Sequence, residues 1–194
     1  MIQSKDRSYY IGASDTNYVI GNYETKSFAK WYGVKQGIYT MDFTNEAMMA
    51  GTAYEHKILE TLNIPGLTMD RQTIMGRLRV NLDGNTEDTI YEVKTHNIEK
   101  TFKVSKQYKN QVNVEMYAFN IRNAYIVSYG LTDDNYRNYY LDIDRSRIIK
   151  TRIEYDQEFI EKTYIPRFNY VSYCLDNGVY PSNQKYEKWS KENY

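Results

Sequence analysis

Over residues 45–62, apolar side chains return at three- and four-residue intervals: Ala47, Ala50 or Gly51, Tyr54, Ile58 and Leu62. That repeat marks one face of an α-helix. Glu55 lies one turn from both Gly51 and Leu59, so it borders the apolar stripe instead of opposing it. The period then shortens to two over 76–95, where Leu78, Val80 and Leu82 alternate with polar residues, as Tyr91 and Val93 do later. This predicts strands separated by a turn around 84–88. A helical period resumes over about 103–119, with Tyr108, Val112, Met116 and Phe119 on one side. AYIVSYG from Ala124 and NYRNYYLDI from Asn135 predict two further strands, and 156–175 another helix. Near the start, IGASDTNYVIG predicts a short helix opened by Ser14 or Asp15 as N-cap and closed at Gly21, followed by a helix over 26–32.

The order helix, strands with a hairpin, helix, strand, strand, helix describes an α/β chain. It is too short for a doubly wound nucleotide-binding fold, and it carries no glycine-rich phosphate loop. With 194 residues the chain can build one domain with a sizeable core, expected over 1–180, while the polar and charged 181–194 reads as a tail that is mobile or docks on a partner. Twenty-two tyrosines against three prolines, with 41% hydrophobic residues, argue for a folded chain rather than a disordered one. No apolar run approaches the roughly 20 residues that span a bilayer, and no signal-peptide pattern opens the sequence. A soluble, cytoplasmic protein without membrane association is therefore expected.

The single cysteine, Cys174, excludes an intrachain disulfide and a cysteine-based metal site. His56 and His96 are the only histidines, so a bound metal would be held mainly by carboxylates, a donor set suited to Mg2+ or Mn2+ rather than Zn2+. Basic and acidic residues balance at 25 each, so nucleic-acid binding would need local clustering of charge. Lys100, Lys103, Lys106 and Lys109 recur at every third position. On a helix this spacing keeps them within one half of the surface, where they read either as contacts along a phosphate backbone or as a solvated face.

Glu92 and Lys94 lie two apart in a strand and share a face, with Tyr91 and Val93 on the other. A turn centred between Glu87 and Asp88 sets Asp83 directly opposite Glu92. Like charges across a ladder destabilise it unless positive charge intervenes, and a divalent cation, with Lys94 beside it, meets that need. Carboxylates that hold a cation against a phosphate, with a lysine nearby, suit phosphodiester hydrolysis. Glu-x-Lys by itself is more often an exposed strand ion pair.

The chain resembles the YqaJ and lambda-exonuclease type of viral recombination nuclease, within the PD-(D/E)XK superfamily. The resemblance rests on IGASD (11–15), GTAYE (51–55), LDG (82–84), YEVKT (91–95) and YKNQVNVEMYAF (108–119), followed by AYIVSYG. It implies a central mixed sheet flanked by helices and an Mg2+- or Mn2+-dependent exonuclease acting on linear duplex DNA, with 5'-to-3' polarity in phage-type recombination. It further implies a homo-oligomer and a single-strand annealing protein as partner. By the same resemblance Asp83 and Glu92 become metal-binding carboxylates, with the Val93 carbonyl as a further ligand. Lys94 becomes the catalytic lysine, Glu55 the carboxylate on the helix, and Gln111 the glutamine that supports the site. Ser14 matches the serine of the first motif, and Arg7, upstream of it, falls where lambda-type enzymes place a 5'-phosphate-binding arginine. Leu82 stands where a proline often precedes the motif aspartate, and no match extends past Leu131. A nicking or restriction-like endonuclease, and a DNA-binding protein of the same fold without activity, remain alternatives.

Overall fold

The structure is a computed structural model that describes residues 8–40 and 45–194. Its residues group into two compact units: one takes the described residues before 42 with Ile74–Val80 and Asp156–Tyr194, and the other takes Asn45 to Thr73 and Asn81–Tyr155.

The second unit is built on helix α3, Glu46–Thr61. Asn45 is its N-cap, its side chain accepting from Met48 N at 2.8 Å. Ala50, Tyr54, Ile58 and Leu59 of α3 are buried against Val93, Val127, Tyr129 and Leu131. Ala47, expected in the stripe, is exposed. Burying each large apolar side chain here contributes about 1.5–3 kcal/mol.

Among the described residues the sheet of this unit has five strands: β1 (Thr68–Met69), β4 (Gly84–Asn85), β5 (Thr89–Asn97), β6 (Asn123–Leu131) and β7 (Ile148–Glu154), in that spatial order. β2 (Gln72–Met75) and β3 (Leu78–Asn81) form a separate two-stranded sheet. In the larger sheet β5 pairs antiparallel with β4 and parallel with β6, and β6 pairs antiparallel with β7. A parallel pair requires a crossover, and α4 (Lys106–Phe119) supplies it between β5 and β6. Ser105 caps α4, accepting from Tyr108 N at 3.2 Å, and Asn120 ends it in the left-handed region at φ 53°, a conformation asparagine tolerates better than most residues.

Two expectations change here. The lysine run does not ride on one helix: Lys100 sits in the turn after β5, its N–H donating to Asn97 O, and Lys103 precedes the Ser105 cap. Only Lys106 and Lys109 lie on α4, although all four lysines are exposed. The segment NYRNYYLDI is not a strand. Thr132 and Asn135 form a capping box that starts a short helix, α5 (Asp133–Arg137), with Asn135 Oδ1 accepting from Thr132 N at 3.0 Å. The strand that follows is β7, where only Ile153 is buried. An edge strand covered so lightly and carrying Lys150 and Arg152 has little hydrophobic alternation to read.

The other unit contains α1 (Thr16–Ile20), α2 (Lys26–Lys35), α6 (Ile165–Asp176) and α7 (Asn183–Asn193). Asp15 is the N-cap of α1, yet its side chain makes no cap bond. Its carboxylate instead accepts from Gly12 N and Trp31 Nε1, both at 2.9 Å, and pairs with Lys35 at 2.8 Å. The expected tail is the helix α7, capped by Ser182, with Trp189 and Tyr186 packed on Tyr170 of α6 at ring separations of 5.5 and 5.4 Å. Its charged residues conceal an aromatic face. Among the described residues no helix is long and apolar enough to cross a membrane.

Tyr54 ties α3 to the chain after β6: its hydroxyl donates to Asn138 O at 2.6 Å and accepts from Asn135 Nδ2 at 3.0 Å. Tyr54→Phe keeps the ring and takes from the buried Asn135 amide its acceptor, so unfolding by urea is expected to show a loss of about 1–3 kcal/mol. An unchanged midpoint at unchanged slope would remove this bond from the stability of the unit.

Candidate active site

The turn between β4 and β5 is centred on Glu87 and Asp88, with Thr86 N donating to Thr89 O at 2.9 Å. Asp88 sets it by accepting from the hydroxyls of Thr86 (3.0 Å) and Thr89 (2.9 Å). The resulting register pairs Gly84 with Tyr91 and carries Asp83, the next residue outward, opposite Glu92, as the sequence register required. Asp83 is tied to β5 through its carboxylate, since Oδ2 accepts from Val93 N at 2.7 Å. The expected metal ligands Asp83 and Val93 are thus joined by a bond from the Val93 amide.

Glu92 is 3% exposed. The face it shares with Lys94 is therefore interior rather than solvated, because β5 is a central strand covered by α4. Two donors converge on Glu92 Oε1: Lys94 Nζ and Gln111 Nε2, each at 2.6 Å. Lys94 Nζ also lies 5.1 Å from the centre of the Tyr108 ring, an arrangement favourable to a cation. Gln111 Nε2 reaches a further carboxylate, Glu115 Oε1, at 2.9 Å. Glu115 is 1% exposed, and its Oε2 has no hydrogen-bond partner.

Glu55, on α3, joins the same field. Gly51, one turn earlier, lets the helix lie close to β5: a Cβ there would meet Thr95 Oγ1 at 3.2 Å. Desolvation pushes the Glu55 carboxyl above its ordinary value, and the charge of Glu92 adds to the shift. Asp83 keeps some surface open, yet enough protein surrounds its carboxyl that desolvation, followed by the charges of Glu92 and Glu55, pushes it well above the usual carboxylate range. Glu115 is pushed the same way, first by burial and then by Glu92. For Lys94 burial alone would favour the neutral amine, but the charge and hydrogen bond of Glu92 outweigh it and hold the ammonium above its ordinary pKa. Four carboxylates therefore face one ammonium.

Such a surplus of buried negative charge fits a divalent cation, and an all-oxygen donor set fits Mg2+ or Mn2+. Asp83, Glu92, Glu55 and the Val93 carbonyl are the residues that could hold it. Among the described residues, a set of three acidic and imidazole groups whose ligand atoms lie within 4.8 Å of one another is Glu55, His56 and Asp70, where His56 Nε2 is 3.1 Å from Asp70 Oδ2. Asp83 accepts from Val93 N, and Glu92 from Lys94 and Gln111.

Glu55, Asp83, Glu92, Val93, Lys94 and Gln111 all belong to one unit and converge as the sequence suggested. Lys106 and Lys109 open the helix that carries Gln111, with Lys100 and Lys103 on the chain leading to it. Ser14 lies in the other unit, exposed in the 3-10 turn Ala13–Asp15, and Arg7 lies outside the described residues. Sequence reasoning missed Glu115, Tyr108 and Asp70. Glu115 did leave a signal: it is a carboxylate set between Val114 and Met116 and one helical turn beyond Gln111.

No protein-family model and no curated protein matches the sequence. Solved structures do. An alkaline exonuclease from Laribacter hongkongensis is similar at a TM-score of 0.63 and 20% identity, over 97% of this chain and 95% of that one. A phage-related exonuclease from Haemophilus somnus 129PT is similar at 0.59 and 14%, over 98% and 100%. A putative exonuclease from Eubacterium rectale is similar at 0.52 and 10%, over 91% and 84%. At these identities the likeness is one of fold. The chain has the PD-(D/E)XK fold, a mixed central sheet flanked by helices, as the resemblance implied.

The charge surplus makes a thermal prediction. Asp83→Asn removes one crowded negative charge while keeping an acceptor for Val93 N, so in EDTA its melting temperature is expected to exceed that of the wild type. Wild-type protein should gain stability on addition of Mn2+, by about 2.7 kcal/mol at 100 times the dissociation constant, and the variant should gain little. A wild type whose melting is indifferent to Mn2+ would contradict this account of the carboxylates.

Proposed function

We propose that this protein is a metal-dependent deoxyribonuclease that degrades linear duplex DNA from its ends. The observation that supports it best is the convergence of Asp83, Glu92, Lys94 and Gln111 around β5, with Glu55 facing them from α3. The exonucleases of similar fold support the same reading.

In this reading Asp83, Glu92, Glu55 and the Val93 carbonyl hold Mg2+ or Mn2+. The bound ion supplies Lewis acidity toward a phosphate oxygen and a more acidic water. Glu92 is kept in place by Lys94 and Gln111, both donating to Oε1. Lys94, held protonated by its neighbours, offsets charge that develops on the phosphate as its bond to the leaving oxygen lengthens. A buried setting strengthens that attraction relative to bulk water. The exposed lysines 100, 103, 106 and 109 contact the DNA backbone. Resection runs 5'-to-3', with Arg7 and Ser14 receiving a 5'-phosphate, and an annealing protein and further copies of this chain complete the recombination assembly.

The test uses end-labelled linear duplex and covalently closed circles of the same sequence. Mg2+ or Mn2+ is expected to support digestion of the linear DNA alone, with 5'-phosphorylated ends preferred over 5'-hydroxyl ends. Ca2+, which tolerates looser geometry, should bind without turnover. Asp83→Ala, Glu92→Ala and Lys94→Ala should each lower the rate by about 100-fold or more while still folding. Cutting of closed circles would replace the exonuclease with an endonuclease, and full activity in EDTA would remove the metal from the reading.

A further inference from the structure

Gln111 has one amide nitrogen and two carboxylates to serve. Its Nε2 donates to Glu92 Oε1 at 2.6 Å and to Glu115 Oε1 at 2.9 Å, so both amide protons are used. With both committed, a flipped amide would set its oxygen against two carboxylate oxygens, and the orientation of Gln111 is fixed. Gln111 and Glu115 are one turn apart on α4, so the helix backbone sets their separation. Glu115 is buried and its Oε2 is unpartnered. An apolar residue of the same length would be the more stable choice there, because a buried polar atom without a partner loses its hydration and gains no bond in return.

We propose that Glu115 is a positioning residue: by fixing the amide of Gln111 it holds Glu92 in the rotamer from which that carboxylate serves the metal. The chain reads Glu115 to Gln111 to Glu92, each link a hydrogen bond, and it approaches Glu92 from the helix side while Lys94 approaches from its own strand. Residues behind a metal's direct ligands, acting through such bonds, typically affect metal affinity or activity by about 10- to 100-fold. Loss of Glu115 frees Gln111 to turn, and Glu92 then keeps only Lys94.

Two substitutions separate positioning from support of the fold. Glu115→Met keeps the length, removes the acceptor and also removes the unpartnered oxygen. Glu115→Gln keeps an oxygen that accepts from Gln111. Glu115→Met is expected to melt no lower than the wild type, to bind Mn2+ about 10- to 100-fold more weakly by electron paramagnetic resonance titration, and to lose kcat by a similar factor at unchanged KM for DNA. Glu115→Gln should recover most of both losses. Wild-type Mn2+ affinity in folded Glu115→Met overturns the proposal, as does a Glu115→Gln variant no better than Glu115→Met.

Should Glu115→Met fail to fold, the double variant Gln111→Leu with Glu115→Met leaves no unpaired amide. It is expected to bind Mn2+ no worse than Gln111→Leu alone, and a further loss overturns the proposal. The inference rests on the nuclease reading, and the titration separates the two. If the wild type binds Mn2+ without cutting DNA, the nuclease reading fails and the Mn2+ affinities of these variants still decide the role of Glu115.

Discussion

Glu92 is a carboxylate placed inside a sheet, and the rest of the site answers to that placement. An ionised group on a central strand loses its hydration and must find donors within the protein. Lys94 supplies one from the same face of the same strand, and Gln111 supplies the other from the helix packed above. Both bonds fall on one oxygen of Glu92. The interior neighbours are mostly acidic, so the pair with Lys94 does not discharge the region. Asp83, Glu55 and Glu115 all find their charged forms disfavoured by desolvation and by the charge of Glu92. A fold that keeps such a cluster sacrifices stability in exchange for a place that attracts a cation.

Topology delivers each partner to β5 by a different rule. The antiparallel turn fixes the register with β4 and so carries Asp83 opposite Glu92, where its carboxylate can reach the Val93 amide. The parallel pairing with β6 demands a crossover, and the helix that makes it brings Gln111 and Glu115 over the strand. The approach of α3 at Gly51 sets Glu55 beside the same strand. Only a central strand with one antiparallel and one parallel neighbour receives groups from a turn and from a crossover helix at once. The spacing of the motifs along the sequence is the trace of that geometry.

This is why so much of the site could be read from the chain. Turn position and strand alternation are local properties, and together they set the turn between β4 and β5 and put Glu92 and Lys94 on one strand. The face they occupy could not be read, because polar residues at alternate positions usually mark the solvent side, and burial of Glu92 depends on where α4 packs. The lysine run failed for a related reason: spacing by three is a helical signal only where a helix exists, and Ser105 starts α4 after Lys103. In NYRNYYLDI the tyrosines imitate strand alternation, but Thr132 and Asn135 cap a helix, and Tyr136 and Tyr139 turn toward the core while Tyr140 is 90% exposed. The C-terminal helix was hidden because its packing is aromatic, with Tyr186 and Trp189 set among charged residues.

Every group argued to take part in hydrolysis lies between Glu55 and Glu115, in one compact unit. The residues assigned to a 5'-phosphate by resemblance lie before it in the chain, and Ser14 belongs to the other unit. Within that unit the motif aspartate Asp15 has structural work: it accepts from Trp31 and Gly12 and pairs with Lys35, fixing the segment that carries Ser14 onto α2. The carboxylate cluster and the segment that carries Ser14 are therefore separate in the covalent structure. The chemistry depends on the register of β4 with β5 and on the position of α4. The segment that carries Ser14 is anchored by an ion pair and an indole in a different part of the chain.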